Sequence, residues 1–327
     1  MKREIIGKAW MIMKWLGLGI LLILLLVILG SFINHRIRLA QEKSAFPPLG
    51  KMVSVNEHQI HVYTEGTGDL PLVFIAGSGT SSPTLNFKPL YAQLSDEYQI
   101  VVIERSGYGW SDIGSTPRDI DTLLFENRKA LELAEIQGPY VLFAHSMGVL
   151  EAMAWANLYP EEVVAIIGLD PAVPETYQYL QKPPLIMINL LAFLARTGIT
   201  RLSPDVCNES LSIHKDYLTA GEEEIFCALF YRSTLTKNML NENKEVENNA
   251  LRVEALGIPD VPLLFFISDG IELGMENWRS LLISYINSAP QGQYRTFDVG
   301  HYVHNHEPAQ ISAESHIFIQ EVIKGLH

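Results

Sequence analysis

Cysteine is nearly absent: Cys207 and Cys227 are the whole thiol inventory of 327 residues. Two thiols exclude a disulfide-stapled scaffold and every metal site built on cysteine quartets. They pair in an oxidising compartment and stay free in a reduced core, so the sequence leaves their state open. Positive charge is also scarce. With 37 acidic residues against 24 Lys and Arg, the net charge of −13 argues against a nucleic-acid or anionic-lipid binder driven by charge. No G-x-x-x-x-G-K-[ST] loop occurs and Gly77-Ser78-Gly79-Thr80 does not complete a dinucleotide fingerprint, so no cofactor is expected. No internal repeat and no low-complexity tract stands out beyond one apolar run near the N-terminus. Hydrophobic residues, by contrast, make up 48% of the chain, enough for one large core or two small ones.

The first 43 residues differ from the rest. They hold seven Lys or Arg against Glu4 and Glu42, so the remaining chain carries the whole acidic excess. Residues 15–33, WLGLGILLILLLVILGSFI, are 19 residues without a charge. As a helix they span about 28 Å, enough to cross the hydrocarbon of a bilayer. A cleaved signal peptide is the rival reading. Its apolar region is usually shorter and followed by small residues, whereas Asn34, His35, Arg36, Ile37 and Arg38 follow here. An uncleaved anchor is therefore expected. Lys2, Arg3, Lys8 and Lys14 precede the run and Arg36, Arg38 and Lys43 follow it, a small excess that favours the N-terminus inside and the rest of the chain outside.

Residues 45–50, AFPPLG, read as a stiff linker opening a second domain. Residues 52–55 and 59–64 alternate as an entry hairpin about Asn56 and Glu57. Short continuous apolar runs follow at 72–76, 100–103, 140–144, 163–169 and 263–267, as expected of strands covered on both faces. Helix-length segments lie between them at 118–136 and 147–158. This alternation predicts an α/β fold, a doubly wound and mostly parallel sheet. Residues 171–259 break the rhythm, being helix-like without an obvious buried strand, and are expected to form an inserted helical cap. The predicted organisation is therefore an anchor segment 1–44, core 45–170, cap 171–259 and core 260–327.

The informative junction is YVLFAHSMG, residues 140–148, where a buried strand runs into His145-Ser146-Met147-Gly148 and then a helix. A nucleophile elbow needs a sharp strand-to-helix turn with small residues two before and two after the nucleophile, because the flanking backbones approach closely. Ala144 and Gly148 meet that demand. The ordinary alternative is a serine that merely starts a helix. A glycine-containing loop, 77–82, follows the third strand, where a free N–H can face an oxyanion. His301, on a loop before the terminal helix, comes last in the chain, and a carboxylate must fix its tautomer. Asp269, at the end of the 263–267 run, is the expected acid; Glu272 on the same loop and Asp170, at the end of IIGLDP, are the alternatives. His301, His304 and His306 form an H-x-x-H-x-H pattern, but without a supporting Cys or carboxylate framework no metal is expected.

In this order FIAGSGTSS, ERSGYGWSD, AHSMG, IIGLDP and DVGHYVHNHEP resemble the α/β-hydrolase superfamily, and within it bacterial membrane-anchored hydrolases near the proline iminopeptidase and esterase group. The resemblance covers residues 50–325 and is weak through the cap. It implies Ser146 as nucleophile, His301 as base, Asp269 as acid, and the backbone N–H groups of Ser78 and Met147 as oxyanion donors. Glu104 stands where the family commonly has aspartate, ahead of a block expected to be a structural turn. A serine at the elbow argues against relatives that use aspartate there, the haloalkane dehalogenases and epoxide hydrolases. The expected reaction is hydrolysis of a small-molecule carboxylic ester or amide. The alternatives are an iminopeptidase-like aminopeptidase, with Gly221-Glu222-Glu223-Glu224 receiving a free ammonium, and a catalytically silent hydrolase fold that binds a ligand or a partner. The apolar stretch 185–195 is expected to be buried within the cap or to roof an acyl pocket.

Overall fold

A computed structural model describes residues 2–180, 183–203 and 206–325. Strands β1 (Lys51–Val55), β2 (His58–Glu65), β3 (Pro71–Ile75), β4 (Gln99–Glu104), β5 (Tyr140–His145), β6 (Val163–Leu169), β7 (Leu263–Ile267) and β8 (Gly292–Thr296) form one sheet in the order β1-β2-β4-β3-β5-β6-β7-β8. β2 runs antiparallel to β1 and β4, and every other pair is parallel. The continuous apolar runs explain this arrangement. Successive residues of a strand point to opposite faces, so a run such as LVFI supplies both layers at once. Val73 and Ile75 join one core cluster while Leu72 and Phe74 join the other.

Helices cover both faces. In chain order they are α1 (Lys2–Ala45), α2 (Pro83–Tyr91), α3 (Ile120–Ala134), α4 (Gly148–Leu158), α5 (Leu185–Arg196), α6 (Leu211–His214), α7 (Ala220–Ser233), α8 (Lys237–Leu256), α9 (Trp278–Asn287), α10 (Val303–His306) and α11 (Pro308–Gly325). One layer takes Leu124 and Leu131 of α3, Met153 and Trp155 of α4, and Trp278 and Leu282 of α9. The opposite layer takes Phe87 and Leu90 of α2 with Ile311 and Phe318 of α11. α2 was not legible beforehand because its prolines interrupt the periodicity. Pro83 opens the helix, where a missing N–H costs nothing, and Pro89 sits near its end.

Between β6 and β7 the described residues are helical or irregular, with no strand among them. The chain divides into two compact units, one of residues 1–47 with 184–206, the other of residues 48–183 with 207–327. The first differs from the expected boundaries, because 184–206 clusters with the N-terminal helix and not with the rest of the cap. α1 is one continuous helix that runs past the apolar segment to Ala45, and it is long and apolar enough to cross a membrane. In the second unit Cys207 and Cys227 are joined in a disulfide.

Candidate active site

The carboxyl ends of neighbouring parallel strands lie side by side, which is where open α/β sheets place their ligand sites. Here β3 delivers Gly77 and Ser78, β5 delivers Ser146, β6 delivers Asp170, and the segment after β8 delivers His301. Ser146 has φ of 50°, the left-handed conformation of a sharp turn between β5 and α4. The elbow exists only because its neighbours are small. A Cβ on Gly148 would lie 2.8 Å from the carbonyl oxygens of Ile75 and Ala76, and one on Gly77 would lie 2.9 Å from the Cβ of Ser146. Ala144, two residues before the serine, is fully buried. Two backbone bonds clip the elbow to the next strand end: Ser146 N–H donates to Leu169 O at 3.2 Å, and Ala172 N–H to Ser146 O at 3.0 Å.

The carboxylate that meets His301 is not the expected one. His301 Nδ1 lies 2.6 Å from Asp170 Oδ2, and Asp170 is completely buried. Asp269 does not reach the ring; its carboxylate accepts from the N–H of Ile271 in its own loop at 2.9 Å. Glu272 meets His301 through the backbone, accepting its N–H at 2.7 Å, and so orients the loop and not the imidazole. The reason is register. β6 is hydrogen-bonded to β5, whereas β7 is one strand further from the serine. Asp170, with φ of 47°, turns its carboxylate back under the histidine loop. Three further donors hold that carboxylate: Ser268 N–H at 2.8 Å, Ser268 Oγ–H at 2.7 Å and Trp278 Nε1–H at 2.8 Å. Four donors satisfy the carboxylate in a dry site.

The histidine is seated against the elbow as well. Its ring centroid lies 4.7 Å from that of His145, the residue before Ser146, and His145 Nε2–H donates to His301 O at 3.3 Å. Burial first, then the neighbouring His301 and His304, holds His145 well below the usual imidazole range. His304 falls to about 3, from burial and then from His301 and His306. Both rings are therefore neutral near pH 7 and put no competing cation beside His301. The H-x-x-H-x-H residues diverge. His301 turns to Asp170 and His304 Nε2 to Asn86 Oδ1 at 2.8 Å, and no group of three metal-ligating residues occurs among the described residues.

The N–H groups of Ser78 and Met147 donate to no protein acceptor among the described residues, and Met147 opens the turn into α4. Arg105, in the block expected to be purely a turn, supports the loop that bears Ser78. Its Nη1–H donates to Ala76 O at 3.0 Å and its Nη2–H to Gly77 O at 3.5 Å. It is buried in an ion network with Glu151 of α4 and Glu242 of α8, which Arg118 joins through Glu242 and Glu126. Burial raises the Glu151 carboxyl, with Arg105 opposing and Glu242 adding to the rise. Sequence reasoning missed this network, Ser268 and Trp278, because nothing local to those residues signals partners on other elements, up to 137 positions away. Two surface clefts, about 560 and 870 Å3, lie away from the candidate residues; the larger is lined by Pro160, Pro262 and Gly292 at the amino ends of strands.

A doubly wound, mostly parallel sheet with a sharp strand-to-helix turn at the end of β5 is the architecture of the α/β-hydrolase fold. A sequence profile of the alpha/beta hydrolase fold matches residues 71–204, and the chain belongs to that family. Along nearly its full length it is similar to the uncharacterised protein YbdG of Bacillus subtilis, 30% identical over 326 residues that cover 96% of this chain and 98% of that one. The 2-(acetamidomethylene)succinate hydrolase of Mesorhizobium japonicum is 25% identical over 122 residues, 37% of this chain and 42% of its own. Among solved structures, Cfl2 of Burkholderia cenocepacia matches with a TM-score of 0.64 at 20% identity, covering 84% of this chain and 97% of that one. Naproxen esterase of Bacillus subtilis matches with a TM-score of 0.58 at 18% identity, covering 88% and 97%. These structures share the fold.

Proposed function

We propose that this protein is a membrane-anchored serine hydrolase that cleaves a carboxylic ester through an acyl-enzyme, with Ser146, His301 and Asp170 as its triad. The observation that carries the reading is the buried, four-donor Asp170 bonded to His301 Nδ1, behind a serine in a left-handed elbow. An acceptor on Nδ1 keeps the proton there and leaves Nε2 as the base. Nε2 takes the Ser146 hydroxyl proton as the oxygen attacks the carbonyl, and the N–H groups of Ser78 and Met147 receive the oxyanion. The imidazolium then protonates the leaving alcohol. Water, deprotonated by the same nitrogen, releases the acid and restores the serine.

The acidic group of the cap offers little to a free ammonium, which disfavours the aminopeptidase. Glu222 accepts from the Thr219 N–H at 2.9 Å and is paired with Lys88. α1 is the anchor of this reading, with the catalytic unit on the outer face. The Cys207–Cys227 bond supports that side, since disulfides persist in oxidising compartments. The test compares p-nitrophenyl acyl esters with proline and alanine arylamides and adds a serine-reactive phosphonate. Ester turnover and labelling, both abolished in Ser146→Ala, are expected. Labelling that persists in Ser146→Ala removes that residue from the role, and arylamide turnover alone favours the peptidase. Silence across both panels, with the protein folded, favours a binding protein.

A further inference from the structure

Helix α5 does not have the environment of a core helix. Its buried side is a narrow stripe, Ile188, Ala192 and Ala195, spaced by four and three residues on one face. Leu185, Ile186, Met187, Leu190, Leu191 and Phe193 are exposed, Ile186 to 81%. At about 100° per residue, four of these six, Ile186, Met187, Leu190 and Phe193, cover the side away from the stripe, with Leu185 and Leu191 at its flanks. Asn189 and Arg196, the polar residues of the helix, fall together on one flank. A contiguous apolar surface of this kind marks an interaction site.

The structure around the helix says what meets that surface. Residues 184–206 form one compact unit with the N-terminal helix. Just past α5, Gly198 packs so closely on α1 that an added Cβ would lie 2.4 Å from the Cβ of His35. Arg201 donates from Nη1 and Nη2 to the Glu42 carboxylate, each at 2.7 Å, and from Nε to His35 Nδ1 at 2.9 Å. His35 stands two residues beyond the apolar run, about 3 Å further along the axis. Shielding of α1 begins earlier still, for Ser31 inside the run is only 7% exposed. Headgroup regions extend roughly 5–8 Å beyond each side of the hydrocarbon, so a segment docked at His35 lies at headgroup level when the run spans the bilayer. At twelve residues, about 18 Å, α5 is too short to cross.

We propose that α5 lies in the plane of the membrane interface beside α1, with Ile186, Leu190 and Phe193 inserted among the acyl chains, as a second lipid contact. This rests on α1 being the anchor. Exposed Arg36 and Arg38, one turn from the docking point, and Arg196 supply cations for lipid phosphates. The substrate class it favours is an ester dissolved in the leaflet.

The test uses the full chain in phosphatidylcholine–phosphatidylglycerol vesicles. A carbene-generating apolar probe is dissolved in the bilayer, and labelled peptides are mapped by mass spectrometry. Label is expected in both 15–33 and 185–196. The triple substitution Ile186→Glu, Leu190→Glu, Phe193→Glu should cut label in 185–196 by about fivefold or more. Turnover of a soluble short-chain ester should be unchanged, while hydrolysis of a long-chain ester held in the vesicles should fall. Label in 15–33 with 185–196 no higher than helix 237–256 of the other unit overturns the proposal and leaves the anchor intact. Absence of label from 15–33 overturns the anchor and the proposal with it.

Discussion

Replacing Asp170 by Asn tests the assignment of the acid most directly, because the two residues have the same shape. Asp170 Oδ1 accepts from Ser268 N–H and Trp278 Nε1–H, and Oδ2 from Ser268 Oγ–H and His301 Nδ1–H. Neither Ser268 N nor Trp278 Nε1 can do anything but donate, so the Asn carbonyl must take the Oδ1 position and its NH2 the Oδ2 position. The serine hydroxyl rotates and becomes an acceptor. His301 cannot answer so easily: an NH2 facing Nδ1 makes that nitrogen the acceptor and moves the ring proton to Nε2, the atom that must receive the proton of Ser146. Loss of the correct tautomer together with the counter-charge should lower kcat/KM about 10^4-fold, which is roughly 5.5 kcal/mol of transition-state stabilisation. Stability should fall less, by about 1.5–3 kcal/mol for one charge-assisted hydrogen bond. Asp269→Asn disturbs only a local turn and should stay within about threefold of the parent. Ester hydrolysis under kcat/KM conditions, with urea unfolding in parallel, separates the two effects. If Asp170→Asn keeps its activity within tenfold and Asp269→Asn loses it, the geometric argument is wrong.

Two further outcomes follow from buried charge. Arg105→Met leaves Glu151 and Glu242 facing each other without their shared cation, and should cost about 3–5 kcal/mol by urea unfolding; a loss below 1 kcal/mol would show the network to be relaxed. His145 and His304 are neutral when folded and ionise near pH 6.5 when unfolded. Their folded values are depressed, so the stability they confer is complete above about pH 6.5 and lost as the pH falls toward the folded values. At pH 5 the cost from His304 should be about 2 kcal/mol, with His145 adding in the same direction. That window lies above the ordinary carboxylate range, so a flat stability curve between pH 7 and 5 would refute the effect, and His304→Gln should flatten part of the slope.

The sheet was legible because burial on both faces leaves a local mark. Runs such as LVFIA and LLFFI can only be strands sandwiched between helices. Ser146 was legible for a related reason: the small residues at 144 and 148 are demanded by the backbone beside them. α2 was hidden by its prolines. α5 misled, because an apolar helix reads as buried whatever surrounds it, and here most of it is exposed. The thiols were undecidable until the fold brought positions 207 and 227 together.

Local sequence therefore determined the doubly wound architecture, the strand-to-helix turn at Ser146 and the apolar length of the N-terminal helix, since each is set by neighbours within a few residues. Which carboxylate meets His301 was decided only in three dimensions. Asp170 and Asp269 both end buried strands, and only strand order, with the donors Ser268 and Trp278 converging on Asp170, separates them. The same holds for Arg105, whose partners lie on helices distant in sequence. A buried charge is placed by where its compensating groups meet, and that meeting is a property of the folded chain.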